Sequence, residues 1–114
     1  MKQQRKFVRV ALRAPVTYQV FGQRRHAMTR DLTRGGMSLE LREFLQPGRV
    51  IDGEMQLPNR ERPVSFRAKV IACERVETAT RLGREEFFQA RAMFAEMDPD
   101  EEQAIRLFLD SVLR

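Results

Sequence analysis

Two short clusters in this chain hold side chains suited to recognising a ligand. The first is Arg5-Lys6-Phe7-Val8-Arg9, with two arginines four residues apart. The second is Asp31-Leu32-Thr33-Arg34-Gly35-Gly36-Met37-Ser38-Leu39, which groups a carboxylate, a hydroxyl and two adjacent glycines. An arginine fork binds phosphate oxygens bidentately and also fits the paired O6 and N7 acceptors of guanine. A carboxylate suits the guanine N1–H and exocyclic amine, and a hydroxyl can donate or accept. Glycines permit positive φ and let a flat group approach the backbone. Each cluster also has a plainer reading. Asp31 and Thr33 could cap their own turn, with the glycines as punctuation, and Arg5 and Arg9 could be solvated charges at the entry to a strand.

The elements around the clusters read as strands. Val16, Tyr18 and Val20 alternate with Thr17 and Gln19, so Val10 to Phe21 predicts a first strand entered through Pro15, with a turn at Gly22-Gln23. Arg24 to Leu32 predicts a second strand and Met37 to Leu41 a third, on either side of the glycine corner. In the connector from Arg42 to Gly48, Phe44 and Leu45 are expected to plug one end of the core. Val50 to Leu57 predicts a fourth strand. In Pro63 to Val76, Val64, Phe66, Ala68, Val70 and Ala72 alternate with Ser65, Arg67 and Lys69, giving a fifth. A loop is expected from Glu77 to Glu85 and a sixth strand from Glu86 to Met97. Asp98-Pro99-Asp100-Glu101 then carries the signals of a helix start, and Ile105, Phe108, Leu109, Val112 and Leu113 form one apolar stripe. Six short strands and a terminal helix, with no strand-helix-strand crossover, predict an all-β fold: a small six-stranded antiparallel barrel with a C-terminal α-helix.

Together the two clusters resemble the signature of the PilZ domain family, in which two arginines flank three residues, and Asp or Asn, any residue, Ser, two residues and Gly follow. Arg5 and Arg9 match the first half, and Asp31, Thr33 and Gly36 the second, with Thr33 where serine is usual. The Pro47-Gly48 turn and the closing strand and helix from Phe87 to Leu113 extend the resemblance over nearly the whole chain. It implies a receptor for the bacterial second messenger cyclic di-GMP, a ligand with two guanines and two phosphates. On this reading Arg5 and Arg9 clamp phosphate and guanine edges, Asp31 and Thr33 hydrogen-bond a guanine, and Gly36 keeps the wall flat. Lys6, Arg34 and Gly35 are possible additional contacts. The resemblance divides the chain into a flexible arginine segment, residues 1–9, that wraps over the ligand, and a barrel, residues 10–114, whose helix begins near 98. It also implies a downstream protein partner in motility, pilus, chemotaxis or biosynthetic machinery.

Composition sets the bounds. A chain of 114 residues with a formal charge of +5 is one basic domain suited to an anionic partner. Cys73 is the single cysteine, so the expectation is a cytoplasmic protein, and no apolar run approaches the roughly 20 residues needed to span a bilayer. No cofactor or metal is expected, since His26 is the sole histidine. Ser38, Ser65 and Ser111 lie outside nucleophile motifs, and Glu85-Glu86 and Asp100-Glu101-Glu102 read as solvated charge, so the chain is expected not to be an enzyme. Two other readings stay open: an adaptor of PilZ fold that binds no nucleotide, and a small basic barrel that binds nucleic acid. One tyrosine and no tryptophan leave few stacking platforms for the latter.

Overall fold

The computed structural model describes residues 8–113. Along them run β1 (Val10–Ala11), β2 (Pro15–Val20), β3 (Gln23–Leu32), β4 (Gly36–Leu41), β5 (Val50–Met55), β6 (Val64–Thr80), β7 (Gly83–Phe94) and α1 (Pro99–Val112). All pairings are antiparallel, in the order β1-β3-β2-β5-β6-β7-β4, and β4 returns to pair with β3. Six strands therefore close into a barrel. Closure removes the row of unpaired backbone groups that an open sheet edge would present.

Alternation fills the interior. Val16, Tyr18 and Val20 of β2, Leu39 and Leu41 of β4, and Val64, Phe66, Ala68 and Val70 of β6 are buried together. Ile105, Phe108 and Leu109 of α1 join the same core, so the helix closes its own barrel. Each fully buried aliphatic side chain of this size contributes about 1.5–3 kcal/mol. The helix start is built as the sequence predicts: Asp98 accepts from the Asp100 amide at 3.1 Å, Pro99 opens the first turn, and three acidic residues face the helix N-terminus. Glu101 also accepts from the Ser65 amide at 3.1 Å, which fastens the start of α1 to β6.

Several boundaries differ from expectation for identifiable reasons. The first strand is split, because the Thr29 hydroxyl donates to the Leu12 carbonyl and accepts from the Ala14 amide at 2.7 Å. A side chain thus occupies a place in the ladder, and β1 forms as a short extra strand beside β3. The following turn falls on Phe21-Gly22, since Val20 pairs with Gln23. The expected loop from Glu77 to Glu85 is instead a hairpin arm, with Thr80 paired to Gly83 and only Arg81 and Leu82 at the turn. Its side chains are mostly charged or polar and exposed on both faces, which hid the strand periodicity. In β6 the buried alternation stops after Val70, where a bulge between Val70 and Ala72 shifts the register. Leu45 plugs the core at 2% exposure, but Phe44 is 51% exposed and packs edge-on against Phe88. Val112 and Leu113, the last residues of the expected stripe, are exposed. No helix among the described residues is long and apolar enough to cross a membrane.

Candidate functional site

β3 and β4 meet at a tight corner, Thr33 to Gly35, and the corner opens onto a cleft of about 600 Å³ on the outside of the barrel. Thr33 organises the turn. Its hydroxyl accepts from the Gly35 amide at 3.1 Å and the Gly36 amide at 3.0 Å, while its own amide donates to the Gly36 carbonyl at 2.9 Å. The plainer, turn-capping reading of Thr33 is therefore present, and the hydroxyl expected to bond a guanine is engaged in it. Positive φ occurs at Gly22, Gly48 and Gly83, not at Gly35 or Gly36, which corrects the expectation that the corner glycines serve backbone torsion. Gly36 is a glycine for packing: a Cβ there would lie 2.2 Å from the Ala92 carbonyl oxygen across the ladder. Only a bare Cα lets β4 approach β7 this closely.

Asp31 reaches the cleft through a bulge. Thr29 pairs with Leu39 but Asp31 pairs with Ser38, so Arg30 is an extra residue in β3 and the register slips just before the carboxylate. Arg30 then turns away to pair with Glu40 at 3.2 Å. Arg9 stands one residue before β1, whose Val10 pairs with Leu32 and Ala11 with Asp31. This pairing brings the guanidinium 3.9 Å from the Asp31 carboxylate. Arg9, Asp31, Thr33, Arg34, Gly35 and Gly36, which the sequence places in two separate stretches, thus line one cleft. Arg5 and Lys6, the other predicted contacts, lie outside the described residues.

The opposite wall of the cleft comes from distant sequence. Ser38 pairs with Arg91 of β7 and Gly36 with Met93, and all four residues line the cleft. Arg91 and Met93 fall on the outward phase of the alternation in β7, which the sequence does show. Their juxtaposition with the corner depends on strand register, which it does not. Thr29 was likewise invisible, because nothing in its neighbours distinguishes a fully buried threonine from one on a solvated strand face.

A second cleft of about 570 Å³ lies across the Glu96-Met97 connector and shares those two residues with the first. Three of its ionic groups are already matched to one another. Arg67 donates to Asp52 at 2.8 Å and to Glu96 at 3.3 Å, and the hydrogen bond from Arg67 holds the Asp52 carboxyl below the usual carboxylate range. None of the predicted site residues among the described ones lines it. No group of three or more metal-ligating side chains occurs among the described residues.

The family model described as PilZ domain matches residues 3–111. No curated protein matches the chain in sequence. Among solved structures, the PilZ domain of YcgR from Escherichia coli with c-di-GMP matches with a TM-score of 0.79 at 17% identity, over 96% of this chain and 91% of that one. The Bacillus subtilis inhibitor of motility, MotI/DgrA, matches at 0.73 and 20% identity, over 94% of this chain and 50% of that one. MrkH of K. pneumonia in its c-di-GMP complex matches at 0.73 and 18% identity, over 98% and 54%. The chain therefore spans nearly all of the isolated YcgR domain and about half the length of MotI and MrkH.

Proposed function

Because the chain belongs to the PilZ domain family, we propose that it is a receptor for cyclic di-GMP, bound in the cleft between the glycine corner and β7, and that it signals by a change of shape or partner rather than by catalysis. The observation that carries this reading is that Arg9, Asp31 and the Thr33–Gly36 corner share one cleft of about 600 Å³. Asp31 accepts from the N1–H and exocyclic amine of a guanine. Arg9, already drawn to the carboxylate at 3.9 Å, exchanges that loose ion pair for charge-assisted bonds to phosphate or a base edge. Thr33 contributes the shape of the turn, with its hydroxyl already hydrogen-bonded within it. Arg5 supplies a second fork from the N-terminal side.

Contacts that Arg5 and Arg9 make only with the ligand give it its differential affinity, and so its ability to shift a conformational equilibrium. The downstream partner is a protein of motility, pilus, chemotaxis or biosynthetic machinery. MotI is an inhibitor of motility and MrkH a transcription regulatory factor, so domains of this fold serve different outputs.

Calorimetric titration with cyclic di-GMP, with GTP and single-stranded DNA as controls, tests the assignment. Removing one charge-assisted contact costs about 1.5–3 kcal/mol, so Arg9→Ala and Asp31→Ala should each bind roughly ten- to a hundredfold more weakly. Parent affinity in both variants would overturn the site, and binding of single-stranded DNA in place of cyclic di-GMP would overturn the ligand. Amide exchange at residues 5–9 should slow on saturation with ligand, and unchanged exchange would leave a rigid receptor. A second reading, a PilZ-fold adaptor without nucleotide, is favoured by the internal satisfaction of Thr33 and by the Arg9–Asp31 pair. It predicts no binding of cyclic di-GMP.

A further inference from the structure

We infer that Arg91 is the base-reading arginine of the barrel wall, which donates to the O6 and N7 edge of the same guanine whose amine edge meets Asp31. The inference rests on the cyclic di-GMP reading above and adds to it a specificity residue outside both sequence motifs.

The register carries the argument. Asp31 pairs with Ser38, and Ser38 pairs with Arg91, so the three stand in one row across β3, β4 and β7 and all line the same cleft. Adjacent strands lie about 4.8 Å apart, which puts the Asp31 and Arg91 backbones roughly 10 Å from each other, a span that a bicyclic base fills once a short and a long side chain reach inward. Between them the wall is low. Ser38 is small, and Gly36 in the next outward row has no side chain. Beside Gly36 stands Met93, 56% exposed, whose thioether offers an apolar, polarisable platform to the ring face.

Charge selects the orientation. Of the three arginines that line the cleft, Arg9 is drawn to Asp31, while Arg34 on the corner and Arg91 on the far wall are exposed and make no ion pair among the described residues, and of these two only Arg91 lies in the row of Asp31 and Ser38. A row that ends in a carboxylate on one side and a free fork on the other matches a base with donors on one edge and two acceptors on the adjoining edge. Guanine has that pattern. Adenine presents its amine beside N7, where it would face the guanidinium donors.

The test compares parent, Arg91→Ala and Arg91→Lys by calorimetry against cyclic di-GMP and its 7-deazaguanine analogue, which lacks the N7 acceptor. Arg91 projects outward from the barrel, so thermal unfolding of the variants should match the parent and confirm an intact fold. Arg91→Ala should bind cyclic di-GMP about ten- to a hundredfold more weakly. Arg91→Lys should recover little, because an ammonium cannot span O6 and N7. The penalty for the deaza analogue should be smaller in Arg91→Ala than in the parent. Parent-like affinity in Arg91→Ala would overturn the inference while leaving the receptor reading intact. Full recovery by lysine with an unchanged deaza penalty would overturn it by placing the arginine on phosphate. A parent that does not bind cyclic di-GMP would overturn the receptor reading itself, and this inference with it.

Discussion

The Thr33 hydroxyl accepts two backbone amides of its own turn, so its methyl is the only part of the side chain free to differ from serine in effect. Thr33→Ser keeps both bonds and should leave the unfolding midpoint in urea unchanged and alter affinity for cyclic di-GMP by no more than about threefold. Thr33→Val keeps the shape and removes the acceptor. It should lower stability by about 1–3 kcal/mol in the same experiment, the cost of leaving a partly buried amide unpaired. Parent-like stability in Thr33→Val would mean that the corner is held by other bonds. Gly36 shows a different kind of constraint, in which the motif glycine is fixed by the approach of Ala92 rather than by the turn.

At the level of elements, the site depends on how β1 is held. Leu12 donates to the Arg30 carbonyl at 3.1 Å and the Thr29 amide donates to the Ala14 carbonyl at 3.0 Å, while the Thr29 hydroxyl bridges the gap between them. Thr29→Val should cost about 1–3 kcal/mol, since the Ala14 amide and Leu12 carbonyl lose a buried partner. It should also weaken cyclic di-GMP binding, because β1 positions Arg9. Undiminished affinity in a destabilised Thr29→Val would show that Arg9 is placed independently of that crossover. The strands that read clearly in the sequence were those with one buried and one wet face. Val64 to Val70 and Phe88 to Phe94 alternate because the barrel wall is one layer thick. The hairpin arm from Glu77 to Glu85 did not read as strand, since no face of it is buried enough to impose a period. The corner and the arginine pair were legible as motifs. Arg91 was not, because a cross-strand neighbour is a property of closure and register rather than of local sequence.

At the scale of the whole molecule, Tyr18 ties strand to connector inside the barrel. Its hydroxyl donates to Glu43 at 2.6 Å, and Arg25 lies 3.5 Å from the same carboxylate. Burial, then the hydrogen bond and charge of Glu43, push the phenol well above its ordinary value. The native state therefore holds this proton more tightly than the unfolded chain. The associated stability is complete below about pH 10 and falls as pH rises beyond it. Tyr18 is the single tyrosine, so a comparison with Tyr18→Phe isolates the effect. The variant should lose about 1.5–3 kcal/mol at neutral pH and show a shallower decline in melting temperature between pH 9 and pH 11. An identical alkaline decline in both proteins would assign it to other groups. The ladder that joins β4 to β7 has a further consequence. The β3–β4 corner is built from neighbouring sequence and can form early, but Ser38 meets Arg91 only when a late segment returns to seal the barrel, the slow, long-range kind of pairing that limits the folding of β proteins. A chain still emerging from the ribosome carries the motif without the cavity, so ligand occupancy would count only molecules that have finished folding.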